Sequence, residues 1–88
     1  MTRSDCKMMI KLKPFAFFRQ ALGASDLQYE IRAGATAKDL LDDIISRHPS
    51  LEKSRDHVII TINKQAVHLD ALLSEGDEVA ILPPVSGG

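Results

Sequence analysis

Residues 36–49 read Thr36-Ala37-Lys38-Asp39-Leu40-Leu41-Asp42-Asp43-Ile44-Ile45-Ser46-Arg47-His48-Pro49. A hydroxyl residue followed three positions later by a carboxylate marks a capping box, here with Asp39 in place of the commoner Glu. Leu40, Leu41, Ile44 and Ile45, with His48 beyond them, recur at the spacing of one face of an α-helix. Pro49 ends the run and pushes His48 out of the helical region. Buried against a sheet, the four aliphatic side chains contribute about 6–12 kcal/mol gross by area transfer, most of which ordering entropy cancels. This is the one long helix the sequence supports, so the segments around it must supply the surface it covers.

Before the helix, Met8, Ile10 and Leu12 alternate with Met9, Lys11 and Lys13, the period of a strand with one wet face. Pro14 has no N–H and belongs at the strand's end or on an unpaired side. Phe18 and Leu22 are four apart, and Gly23 suits a left-handed cap, so one or two helical turns follow the strand. Phe17 and Phe18 cannot both face inward on such a helix, so one of them is expected to add to an exposed apolar surface. Leu27, Tyr29 and Ile31 alternate with Gln28, Glu30 and Arg32 in a second strand, antiparallel to the first. After the helix, Ser50 to Asp56 read as a polar loop. Val58, Ile60 and Ile62 alternate with Ile59 and Thr61 in a third strand, expected to be covered on more than one side, and Asn63-Lys64 make a turn. Gln65 to His68 form a short returning strand, Leu69, Leu72 and Leu73 pack a connecting turn, and Glu75-Gly76-Asp77 is a tight turn. Val79 and Ile81 start a last strand that runs to Leu82.

The order β-β-α-β-β-β with one main helix gives an α+β domain of two layers, the helix packed on one face of a mixed sheet. For the helix to cover both the first and last strands, those strands must be central and parallel. That arrangement is the ubiquitin-like β-grasp, and it ranks above a ferredoxin-like split βαβ because a second long helix is missing. The expected organisation is a disordered N-terminal extension over 1–7, the β-grasp domain over 8–82 and an extended tail over 83–88.

A length of 88 residues is one domain with one modest core and no room for a deep internal active site. Eleven Lys and Arg against twelve Asp and Glu give no bulk attraction to nucleic acid or to an anionic membrane. With a single Cys there is no intramolecular disulfide and no cysteine-based metal cage. No apolar run approaches a membrane span and no signal segment is visible, which implies a cytoplasmic protein. His48, His57 and His68 show no ligand spacing, so no metal site is expected. Asp42 and Asp43 are adjacent and point about 100° apart on a helix, which rules them out as a facing dyad. Glu75, Asp77 and Glu78 read as turn residues. Cys6 is a lone thiol with nothing nearby in sequence to lower its pKa.

The chain ends Pro83-Pro84-Val85-Ser86-Gly87-Gly88. Two prolines favour an extended backbone, and six extended residues reach roughly 20 Å. With two glycines at the tip, the segment is a thin probe that can enter a channel too narrow for ordinary side chains. A carboxylate at Gly88 is charged at neutral pH, since a terminal carboxyl ordinarily titrates at about 3.3–3.7, and must be activated before it can be attacked. The chain carries no phosphate-cradling loop of the Walker type, so the ATP chemistry belongs to a partner.

Together these stretches resemble the small subunits of molybdopterin synthase, sulfur carriers of the ubiquitin-like superfamily. The matching residues are Ile10-Lys11-Leu12, Phe15-Ala16, Arg19 to Gly23, Val58 to Asn63, Gly76-Asp77-Glu78-Val79-Ala80 and the Pro83–Gly88 run, which is the most specific. The resemblance spans about Met8 to Gly88. It implies that no cofactor is bound and that an adenylating enzyme of the ubiquitin-activating type uses ATP to convert Gly88 to an acyl-adenylate. A sulfur donor protein then makes the thiocarboxylate. Residues Pro83, Pro84, Val85, Ser86 and Gly87 insert into the large subunit of the synthase, in a two-plus-two heterotetramer. There sulfur passes to cyclic pyranopterin monophosphate to build the molybdopterin dithiolene of molybdenum cofactor. The same tail chemistry would serve a carrier for thiamin thiazole or tRNA thiolation, or a ubiquitin-like modifier joined through Gly88 to lysines.

Two positions depart from the family pattern. Pro14 stands where an apolar strand residue is usual and is expected to loosen the end of the first strand, and Ile81-Leu82 replaces an aromatic-rich pair. Phe15, Ala66 and Leu82 are candidates for an apolar patch beside the tail that a partner grips; the competing reading makes Phe15 and Leu82 core or rim packing.

Overall fold

Strand formation starts one residue earlier than the alternation alone indicates. In the computed structural model, which describes residues 6–83, β1 runs Lys7–Pro14 and pairs antiparallel with β2, Leu27–Arg32, in register from Lys7↔Arg32 to Leu12↔Leu27. The Cys6 carbonyl accepts the Ala33 N–H at 3.0 Å. Residues 6 and 7 of the expected extension therefore belong to the folded unit; residues 1–5 lie outside the described residues.

Pro14 does not loosen β1. It is fully buried and sits in parallel register with Ile81 of β5, Glu78–Leu82. The next residue, Phe15, donates its N–H to the Ile81 carbonyl at 3.1 Å. Alternation along a strand turns the nitrogen of Pro14 to the opposite side, toward β2, whose pairing has already ended at Leu12. The missing N–H of proline is thus placed where the ladder has no acceptor for it. The turn out of β1 uses Ala16 at φ +54°, a left-handed conformation that costs an L-residue about 1–2 kcal/mol. Helix α1, Ala16–Leu22, then ends on Gly23 at φ +76°, the conformation glycine adopts without penalty.

Helix α2, Ala37–Arg47, has the capping box read from the sequence. Thr36 Oγ1 accepts from the Asp39 N–H at 3.2 Å, and Asp39 Oδ2 accepts from the Thr36 N–H at 3.0 Å. Leu40, Leu41 and Ile44 are fully buried and Ile45 nearly so. His48 leaves the helix at φ −136°, ψ 75° ahead of Pro49.

The polar loop expected over 50–56 is instead a 3₁₀ segment, Pro49–His57. Its sequence has no long apolar period, which is why it reads as loop. Three local features hold it: Pro49 at its first position, Leu51 buried as an anchor, and Arg55 bridging Glu52 within the segment to Asp42 on α2. The connection over 68–73 differs too. Leu73 is buried, but Leu69 and Leu72 are exposed. There the backbone is what α2 needs: the carbonyls of Ala71 and Leu69 accept from the Ala37 and Lys38 N–H groups at 2.9 and 2.8 Å, and the side chains turn outward.

β3, Ile59–Ile62, pairs antiparallel with both β5 and β4, Gln65–Val67. Its hairpin turns through Asn63 and Lys64, both at positive φ, the two-residue turn whose twist matches the flanking strands. Asn63 also ties this turn to β5: its side chain donates to Asp77 Oδ1 and accepts from the Glu78 N–H, each at 3.1 Å. The sheet order is β2-β1-β5-β3-β4, with β1 and β5 parallel at its centre. Ile10, Leu12, Val79, Ile81 and Ile60 meet α2 in one core, which is the ubiquitin-like β-grasp.

Candidate functional site

Residue 83 follows directly on the central strand of the sheet. β5 is paired on both sides, parallel to β1 and antiparallel to β3. Val79 and Ile81 point into the core at 0% and 1% exposure. Leu82 and Pro83 therefore start from a fixed position and direction. Pro84, Val85, Ser86, Gly87 and Gly88, which carry the proposed chemistry, lie outside the described residues.

Alternation turns Ala80 and Leu82 to the face of the sheet away from α2. Cross-strand register puts Lys13, Ala80, Thr61 and Ala66 in one row, and Leu82 opposite Ile59 in the next. Leu82 and Ala66 thus share this open face, with Ile59, Thr61 and Ala80 between them. Phe15 is 41% exposed and lies around the end of β1, lining a hollow with Phe17, Val58 and Pro83. Phe15 and Leu82 border the tail root from different sides, while Ala66 lies two strands from β5 on the open face, so the three candidate docking residues do not form one cluster. Of the two adjacent aromatics, Phe18 is buried and Phe17 is the one that adds to the surface beside the tail root, whereas Ile59 and Thr61 are surface residues the sequence did not mark as such. The apolar residues on both faces of β3 predict cover on both, but among the described residues of β3 only Ile60 is buried, and Ile59 and Thr61 lie on the face away from α2.

The charged groups are engaged in holding the fold. Asp42 accepts from Arg55 and from Lys38 Nζ at 2.7 Å, and those hydrogen bonds, Arg55 first, hold its carboxyl below the usual carboxylate range. Tyr29 donates to Asp43, and Arg47 pairs with the same carboxylate at 3.3 Å while lying over the Tyr29 ring. Burial, then the bond to Asp43, pushes the Tyr29 hydroxyl up. The two adjacent aspartates thus serve separate clamps between α2 and its neighbours. Among the described residues no three His, Cys, Asp or Glu side chains come together as metal ligands, and no helix is long and apolar enough to cross a membrane.

Fold and tail root together define the class: a ubiquitin-like β-grasp domain whose central last strand leads directly into a Pro-Pro-Val-Ser-Gly-Gly run. The chain belongs to the ThiS family, which it matches over residues 12–88. It is 39% identical over 83 residues to a protein of Chlamydomonas reinhardtii named molybdopterin synthase sulfur carrier subunit, covering 92% of this chain and 100% of that one. Its fold is similar to the crystal structure of Haloferax volcanii small archaeal modifier protein 1, with a TM-score of 0.75 at 29% identity over 89% of this chain and 99% of that one. It is also similar to a chain in the complex of subunits 1 and 2 of molybdopterin-converting factor from Helicobacter pylori, with a TM-score of 0.60 at 26% identity over 92% and 100% of the two chains.

Proposed function

We propose that this protein is the sulfur carrier and small subunit of a molybdopterin synthase. The observation that carries the reading is the match of residues 12–88 to the ThiS family together with the 39% identity to a named sulfur carrier subunit along that protein's whole length. The central position of β5 supports it physically, since a strand held on both sides gives the tail a fixed origin.

In this reading an adenylating partner joins the Gly88 carboxylate to AMP with release of pyrophosphate, and ATP is bound by that partner. Sulfur delivered by a donor protein at the sulfide level attacks the acyl carbon, expels AMP and leaves a thiocarboxylate. The large subunit receives residues 83–88, the Gly88 sulfur attacks cyclic pyranopterin monophosphate, and water then cleaves the Gly88 acyl–sulfur bond, leaving the sulfur on the pterin and returning the carboxylate. A thiocarboxylate sulfur is the stronger nucleophile and so performs what a carboxylate oxygen does poorly. Phe15, Ala66 and Leu82 contribute to the grip on that partner, and the small and large subunits assemble two-plus-two.

Intact mass of the native protein tests this. An oxygen-to-sulfur exchange localised to Gly88, and loss of molybdopterin formation on deletion of Gly88 with thermal unfolding unchanged, are the expected results. Undiminished product formation by the Gly88 deletion would refute the reading. The likeness to small archaeal modifier protein 1 favours a second role as a protein modifier. That role predicts isopeptide adducts through Gly88 on lysines of other proteins, detectable by mass spectrometry of cell extracts.

A further inference from the structure

The surface beside the tail root holds an aromatic that the fold does not use. Phe17 is 67% exposed, although it sits on a seven-residue helix whose buried residue is Phe18. It rises between two hollows. One, of about 270 Å³, is lined by Phe15, Phe17, Phe18, Val58 and Pro83. The other lies against Ala21 and Leu51, and Ser54 borders both. The first hollow is apolar on its floor and walls, with Ser54 and His57 as its polar rim. Its volume falls just short of the range of about 300–1,000 Å³ of small-ligand sites, so it suits an inserted side chain better than a cofactor.

Two observations make this a presented surface. Ala16, between the two aromatics, is at φ +54°. The turn it makes out of β1 brings Phe18 into the core and leaves Phe15 and Phe17 exposed beside the hollow. The second observation is continuity. Pro83 forms one wall, and the tail continues from Pro83. A protein that draws residues 84–88 into a channel must come within one residue of this hollow and cover it.

We infer that the hollow between Phe15, Phe17, Val58 and Pro83 is a socket for an aliphatic side chain at the mouth of the tail channel of the sulfur-accepting large subunit. The partner thereby grips the tail root from the α1 side as well as from the open sheet face. The inference rests on the sulfur-carrier reading. Burying Phe17 in such a contact makes it an anchor of the kind whose truncation weakens binding by tenfold or more.

The test is isothermal titration of the wild-type chain and of Phe17→Ser and Phe17→Leu with the molybdopterin synthase large subunit of the same organism. The expected result is at least tenfold weaker binding by Phe17→Ser, substantial recovery in Phe17→Leu, and unchanged thermal unfolding of both, because the side chain is exposed. Equal affinities for wild type and Phe17→Ser would overturn the socket and leave the carrier reading standing. Failure of the wild type itself to bind would overturn the carrier reading and the socket with it.

Discussion

Replacing Thr36 by Ala removes one acceptor from the start of α2 and changes nothing else there. The first four N–H groups of the helix each have an oxygen: Ala37 donates to the Ala71 carbonyl, Lys38 to the Leu69 carbonyl, Asp39 to Thr36 Oγ1 and Leu40 to the Thr36 carbonyl. Three of those acceptors are backbone atoms that survive the substitution. The fourth serves Asp39, whose surroundings are open enough that water replaces the lost hydroxyl in part. The cost is therefore that of a single cap, about 1 kcal/mol, and not the penalty of about 1–3 kcal/mol for a sealed-in donor. For a domain of this size the loss lowers the melting temperature by about 4–8 °C, or the urea midpoint by roughly 0.5–1 M if the slope is about 1–2 kcal/mol/M. Urea unfolding followed by circular dichroism at neutral pH measures it, and the slope should not change. Acid separates the two halves of the box. The Thr36 N–H, acting first among several causes, holds the Asp39 carboxyl below its ordinary value. Its contribution is present above the unfolded carboxylate range and is lost as pH falls through the folded pKa. Asp39→Asn should therefore destabilise at neutral pH and progressively less in acid. A Thr36→Ala loss below about 0.3 kcal/mol, well under the usual value of a cap, would mean that the loop carbonyls alone cap α2, and would refute the reasoning.

Four further outcomes follow from the structure. Gly23→Ala should cost about 1 kcal/mol in chemical denaturation, from conformation alone, because a Cβ there meets nothing within 4 Å while φ stays at +76°; a neutral result would mean that the helix end relaxes. Ile44→Ala at the fully buried centre of α2 should cost about 2–5 kcal/mol, against the roughly 5–15 kcal/mol that such a domain possesses. Tyr29 is the chain's one tyrosine, so its phenolate absorbance reports a single group; with its folded pKa raised, its stabilisation is complete below about 10 and declines above that, and ionisation at the ordinary value without unfolding would exclude the Asp43 bond. Leu82→Asp places a charge on the open face next to the tail root and should weaken large-subunit binding by tenfold or more while the isolated domain stays folded, with an unchanged dissociation constant counting against the open face as a docking surface.

Local chemistry made much of this fold legible. The Thr36–Asp39 box, the Leu40–Ile45 stripe and Pro49 delimit α2 without reference to any other segment, because capping and helical periodicity act within a few residues. The alternations of β1, β2 and β5, and the glycines at 23 and 76, are equally local. The errors lie where a distant partner decides. Residues 50–56 read as loop because what anchors them beyond the Glu52–Arg55 pair is the burial of Leu51 in the core and the reach of Arg55 to Asp42 on α2. Leu69 and Leu72 read as packed, yet their segment is recruited for its carbonyls, a need that exists only once Ala37 and Lys38 are brought beside it. Pro14 read as a weakness because its compatibility depends on β2 pairing that ends two residues earlier.

The Pro83–Gly88 motif is likewise legible in the sequence alone, although residues 84–88 lie outside the described residues. Helix periods and strand alternation, written in neighbouring residues, made the β-grasp legible, and the Pro83–Gly88 motif carried the family resemblance on which the expectation at Gly88 rests. The tertiary structure alone decided the setting of that motif. Parallel pairing of β1 with β5 centres its root in the sheet, and the left-handed turn at Ala16 sets Phe15 and Phe17 beside Pro83. Contacts between residues 58, 15 and 83 arise only when the sheet closes, because no local preference links positions so far apart in the chain.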